Sequence, residues 1–166
     1  MNQEAAQAER SGADTRAFAQ HKRAQKRAAA EEIGVDAEFI DHLVEAFYGR
    51  IREDALLAPI FAERIADWPS HLTRMKAFWR SVLHNSGEYS GNPMLKHLAI
   101  PGLELRHFAH WLGLFYETLR DVEGQDAATE LVGGRARMIA DSLLTAITMR
   151  RDGLAGGRAG KDLPHV

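Results

Sequence analysis

The chain has 166 residues, with 21 Lys plus Arg against 23 Asp plus Glu for a formal net charge of -2, and no cysteine. That length fits one domain burying roughly 70% of its unfolded surface in a single core, and the near balance of charge gives no global pull toward nucleic acid or a membrane surface. The missing thiols exclude disulfides, thiolate zinc sites, iron-sulfur ligation and cysteine nucleophiles, and leave histidine as the soft-metal ligand.

Residues 1–35 are rich in Ala, Gln, Arg and Glu, with Phe18 and Ile33 as the few large apolar side chains. Arg16, Lys22, Arg23, Lys26 and Arg27 fall between Thr15 and Ala30 without one acid. The expectation is a basic extension, partly helical or disordered, that adds little to the core. The start "MNQEAAQAER" does not read as a signal peptide, and no apolar run approaches the roughly 20 residues of a membrane span, so a cytoplasmic protein is expected.

From Asp36 onward the apolar residues recur at helical intervals and nowhere alternate with period two, which predicts an all-α domain over 36–151. A first helix, N-capped by Asp36, turns Phe39 or Ile40, Leu43, Val44, Phe47 and Ile51 inward, with Tyr48 beside that stripe. A second begins near Trp68 and Pro69 and carries Leu72, Met75, Trp79 and Val82, with His71, Met75 and Phe78 on a neighbouring face. After Gly91, Asn92 and Pro93 comes "PMLKHLAIPG", at most two turns of helix, started by Pro93 and barred from continuing by Pro101. A longer helix from about Glu104 places Leu105, Phe108, Leu112, Phe115, Leu119 and Val122 in near-heptad spacing, with Trp111 adjacent. The last runs from about Asp126 to Arg150, weakened near its start by Gly133 and Gly134. The tail 152–166, "DGLAGGRAGKDLPHV" from Asp152, is expected to be flexible.

No internal repeat, Walker loop, nucleophile elbow or HExxH motif is present. His97 lies on a short segment fixed between two prolines, and imidazole is a standard protein ligand for haem iron. An isolated histidine in such a helix is more often a packing residue. Tyr48 and Trp111 each admit two readings, a core ring whose polar atom meets a carbonyl, or a donor facing a polar ligand in an apolar cavity. His107 and His110, three apart, could hold a divalent metal, but no third ligand follows at a recognisable spacing.

The ordered segments "LVEAFYGRIREDALLAPIF", "DWPSHLTRMKAFWRSVL", "YSGNPMLKHLAIPGL" and "HFAHWLGLFYETL" resemble, in order, the truncated two-over-two haemoglobins of group III. The resemblance spans residues 36 to about 150 and rests on Phe47-Tyr48, the Trp-x-x-His of Trp68 and His71, Phe78-Trp79, Lys-His-Leu around His97, and Trp111-Leu112. It implies a globin-like helical sandwich around haem b, with His97 as the proximal iron ligand. It further implies Tyr48, Trp111 and His71 on the distal side, and Met75, Phe78, Phe47 and Phe61 against the porphyrin. The implied function is reversible binding of oxygen, nitric oxide or carbon monoxide. Nitric oxide dioxygenation and peroxidase-like chemistry are extensions that need a separate reductase. No nucleic-acid partner is implied, and the subunit count is left open. From a different class, a haem-free helical interaction domain would use the same residues for packing and the basic extension for docking.

Overall fold

The computed structural model describes residues 2–122 and 126–166. Its elements are α1 (Asn2–Glu32), α2 (Ala37–Glu53), α3 (Ala58–Ala62), α4 (Trp68–His84), α5 (Pro93–Leu98), α6 (Leu105–Val122) and α7 (Asp126–Asp152), followed by a 3₁₀ segment, Gly153–Asp162. No strand occurs among the described residues. No helix described is long and apolar enough to cross a membrane.

The same capping chemistry starts three of these helices. Asp36 accepts from the Phe39 amide at 2.8 Å, Asp67 from Ser70 at 3.1 Å, and Asn92 from Leu95 at 3.1 Å, each satisfying an amide that lacks a helical partner. Pro93 follows as the first residue of α5 and Pro69 as the second of α4, both within the first turn, where a missing N–H costs nothing. At the other end of α4, Asn85 takes the left-handed conformation, φ 56°, and stops the helix.

Helix α2 packs on both α4 and α6, and α6 on α7, so two helix pairs enclose one apolar core. Phe47, Phe115, Ile40, Leu43, Leu112 and Leu119 are fully buried there. Their spacing is the inward stripe read from the sequence, with one exception. Leu105, expected inward, is an exposed residue at the first turn of α6, and Leu103 in the preceding loop is buried instead.

Both chain ends depart from expectation. α1 is a single helix whose last turn joins the domain: Ala30 is buried, Lys26 Nζ donates to the Val82 carbonyl at 2.9 Å, and α1 packs on α4. His84 Nε2 donates to the Val35 carbonyl at 2.7 Å and fixes the α1–α2 turn to the end of α4. The glycine-rich tail, expected to be flexible, lies along α7 as the 3₁₀ segment, with Leu163 buried beyond it. Glycines make that approach possible, because a Cβ on Gly156 would sit 2.5 Å from the Thr148 carbonyl carbon. Gly133, expected to weaken α7, lies inside an unbroken helix beneath Val166, whose Cβ would be 2.7 Å from an added methyl.

Candidate functional site: a cavity between the helices

A cavity of about 520 Å³ opens between α2, α4, α5, α6 and α7. This is within the roughly 300–1,000 Å³ range of small-molecule and cofactor sites. Tyr48 comes from α2, His71, Met75 and Phe78 from α4, His97 from α5, and Trp111 from α6. Phe61, from α3, completes the set of site residues that line it. Phe47 does not line the cavity. It stands behind the wall, 5.2 Å from Tyr48, 5.3 Å from Trp111 and 5.0 Å from Phe115, ring centre to ring centre. The inward stripe of α2 puts Phe47 at the centre of the core and turns its neighbour Tyr48 to the cavity edge, a rotation of about 100° per residue.

His97 is oriented by its own short helix. Its Nδ1 lies 2.7 Å from the Pro93 carbonyl oxygen, and a carbonyl only accepts, so Nδ1 carries the proton. In the neutral ring Nε2 is then the nitrogen with a free lone pair. Burial holds this imidazole below its ordinary pKa, the Pro93 bond opposing and Lys96 reinforcing the effect. Pro93 thus serves twice, at the first position of the helix and as the anchor of the ring four residues on.

Tyr48 makes no hydrogen bond among the described residues, and burial pushes its phenol above the ordinary range, so it stays a protonated donor. It is packed edge-on by His71 at 5.2 Å and Phe61 at 6.0 Å. His71 also meets Trp68 at 5.7 Å, and its Nε2 is buried without a hydrogen-bond partner. Burial, then Arg74 and Lys96, lower the His71 pKa to about 4. Trp111 stacks on Phe115 at 5.3 Å with 11° between the planes, and Phe115 stacks on Trp79 at 5.1 Å. The indole is held by an aromatic column running back into the core.

The His107–His110 pair is split. His107 Nδ1 accepts from the Glu104 amide at 3.1 Å and the ring lines the cavity, whereas His110 Nε2 meets Asp54 at 2.6 Å on the exposed side. No group of three metal-binding side chains is present among the described residues. Several further lining residues were not read as site residues from the sequence. Arg64, Arg74, Lys96 and Tyr89 border the cavity, and Ile139, Ala140 and Leu143 close it from α7. Arg74 is three residues after His71, so helical spacing carries a signal for it, whereas Lys96, one residue from His97 and about 100° around the helix, gives none.

The family model for bacterial-like globins matches residues 28–144. This chain belongs to that family. It is 36% identical over 110 residues to the group 3 truncated haemoglobin ctb of Campylobacter jejuni, covering 64% of this chain and 86% of that protein. The crystal structure of the group III truncated haemoglobin from Campylobacter jejuni is similar, at a TM-score of 0.62 and 35% identity, over 65% of this chain and 87% of that one. The protein is therefore a truncated haemoglobin of group III, with a globin fold and, as the family implies, a haem that binds diatomic ligands. The matched segment begins inside α1, so the last turn of that helix is part of the globin domain.

The cavity of this truncated haemoglobin fits the group. Its walls are mostly aliphatic and aromatic, as a porphyrin face requires. A neutral imidazole lone pair is available from His97, and Arg74 and Lys96 suit the two carboxylates of the macrocycle.

Proposed function

We propose that His97 Nε2 is the protein ligand of a haem b iron in this cavity, and that the protein reversibly binds oxygen, nitric oxide or carbon monoxide there. When bound, the haem supplies the ferrous iron at which diatomic ligands are held. The observation that carries the reading is the Nδ1–H bond from His97 to the Pro93 carbonyl, because it fixes the tautomer in which Nε2 is free to ligate.

The remaining roles belong to the chain's own side chains. Tyr48 and Trp111 bring an O–H and an N–H to the same cavity, and in a water-poor site such donors favour a ligand that draws negative charge over one that does not. His71 stays neutral at physiological pH, either donating to the ligand or screening the cavity mouth. Met75, Phe78 and Phe61 exclude water from the macrocycle, while Phe47 acts one layer back by fixing Tyr48 and Trp111. A cleft of about 520 Å³ with a largely apolar lining is far larger than the voids a close-packed core leaves, which favours a resident cofactor over the reading in which these residues only pack.

Nitric oxide detoxification and peroxidase-like chemistry would use the same donors with reducing equivalents from a separate protein, and no feature of the cavity selects either. The test is an absorption spectrum of purified protein supplied with haem, recorded ferric, after dithionite, and after carbon monoxide. One haem per chain, with a Soret band that shifts on adding carbon monoxide and is lost in His97→Ala, is the expected result. His97→Ala retaining stoichiometric five-coordinate haem with an unchanged spectrum refutes the ligand assignment.

A further inference from the structure

A second pocket, of about 280 Å³, lies where the α5–α6 loop meets the C-terminal half of α7. Leu98, Ile100, Leu103 and Ile147 give it an aliphatic lining, and Arg150 and Arg151 complete it. The two cations differ. Arg151 Nη2 is 2.8 Å from Asp152 and also feels Glu104, so its charge is largely answered within the protein. Arg150 makes no ion pair or hydrogen bond among the described residues. Gly102, at φ 76°, turns the loop between Ile100 and Leu103 so that both side chains reach this pocket. At φ values of that kind a side chain is strained, which makes glycine the residue for the turn.

An aliphatic recess beside one unanswered guanidinium is complementary to a ligand with a short hydrocarbon body and a carboxylate head. The recess is small and shallow, more open than enclosed, which suits a short chain lying along its wall and excludes a second macrocycle. We infer that this pocket is a binding site for a small amphipathic anion, with the hydrocarbon on Leu98, Ile100, Leu103 and Ile147 and the carboxylate on Arg150.

Ile100 and Leu103 also line the large cavity, so one wall serves both sites. Ile100 is tied directly to the helix of His97, its amide donating to the His97 carbonyl at 3.0 Å. An occupant pressing on Ile100 therefore bears on α5 as well. The site itself stands without the haem reading, and only this coupling rests on it.

The probe is octanoate, titrated by calorimetry into the haem-loaded protein, with octanol as the uncharged counterpart. Saturable one-to-one binding is expected, weakened about tenfold or more for octanol and in Arg150→Gln, which loses one charge-assisted contact. Ile147→Trp, which fills the recess, should remove binding, and its thermal melt shows whether the fold is retained. A small Soret shift on saturation, absent in Ile147→Trp, reports the shared wall. If the protein takes up no haem, the same titration on the haem-free chain tests the site alone. The absence of saturable heat, affinity unchanged in Arg150→Gln, or octanoate that binds by expelling haem overturns the proposal.

Discussion

Gly156→Ala isolates the tail's contribution to stability. A Cβ there would lie 2.5 Å from the Thr148 carbonyl carbon, 2.7 Å from its oxygen and 2.8 Å from the Met149 amide nitrogen. All three are backbone atoms of α7, so no side-chain rotation relieves the contact and the tail must lift. Lifting breaks the bond from Thr148 Oγ1 to the Gly156 carbonyl, 2.9 Å, and loosens that from Tyr116 Oη to the Pro164 carbonyl, 2.9 Å. Each is worth about 1 kcal/mol. It also exposes Leu163, 2% accessible in place, for a further loss of about 2–3 kcal/mol. The freed chain regains conformational entropy that offsets part of this sum, so a net loss of about 2–3 kcal/mol is expected. At about 2–4 °C per kcal/mol for a chain of this size, the melting temperature of the haem-loaded protein should fall by roughly 5–10 °C. Gly157→Ala is the control, because an added Cβ there meets nothing within 4 Å. Circular dichroism melts of the two variants decide the matter. If Gly156→Ala melts with Gly157→Ala and the unaltered protein, the tail is not a packed part of the domain.

Tyr48→Phe and Trp111→Phe should each speed oxygen release by about tenfold or more, as expected for losing a hydrogen bond to a charged acceptor, with a smaller effect on carbon monoxide. Stopped-flow displacement reads both, and equal effects on the two gases would assign these residues to cavity size instead. The His71 pKa, lowered to about 4 against 6.5 in the unfolded chain, means the unfolded state binds more protons between those values. The stability associated with neutral His71 is therefore present above about pH 6.5 and lost as pH falls toward about 4. Urea midpoints over that window should decline less steeply in His71→Leu, and parallel slopes would remove His71 as the cause. His84→Leu leaves the buried Val35 carbonyl without its 2.7 Å donor and should cost about 1–3 kcal/mol in urea unfolding, without altering the Soret band.

Much of this protein is determined by local sequence. Period-3.6 patterning from Asp36 to Arg150, Asp and Asn caps and prolines in first helical turns depend only on residues within one or two turns. They mark out α2, α4, α5, α6 and α7 without knowledge of the fold. The spacing of His97 after Pro93 belongs to the same class, since a ring four residues on reaches that carbonyl by helix geometry alone. Candidate chemistry at Tyr48, His71 and Trp111 was also visible as residue types beside apolar stripes, although spacing could not separate a packing ring from a functional donor.

Tertiary structure decides what depends on partners distant in the chain. It places Tyr48 on the cavity and Phe47 behind it, because the packing of α2 against α6 fixes which of two adjacent aromatics faces the core. It divides His107 from His110, sending one to the cavity and the other to Asp54, 56 residues away. It also reverses the expectation for the tail. Glycine-rich composition signals conformational freedom when the chain is considered alone, but against α7 the missing side chains permit backbone contact, and Leu163 is buried as a result. Composition records the entropy that glycine must lose, whereas only the folded surface supplies the contacts that offset it.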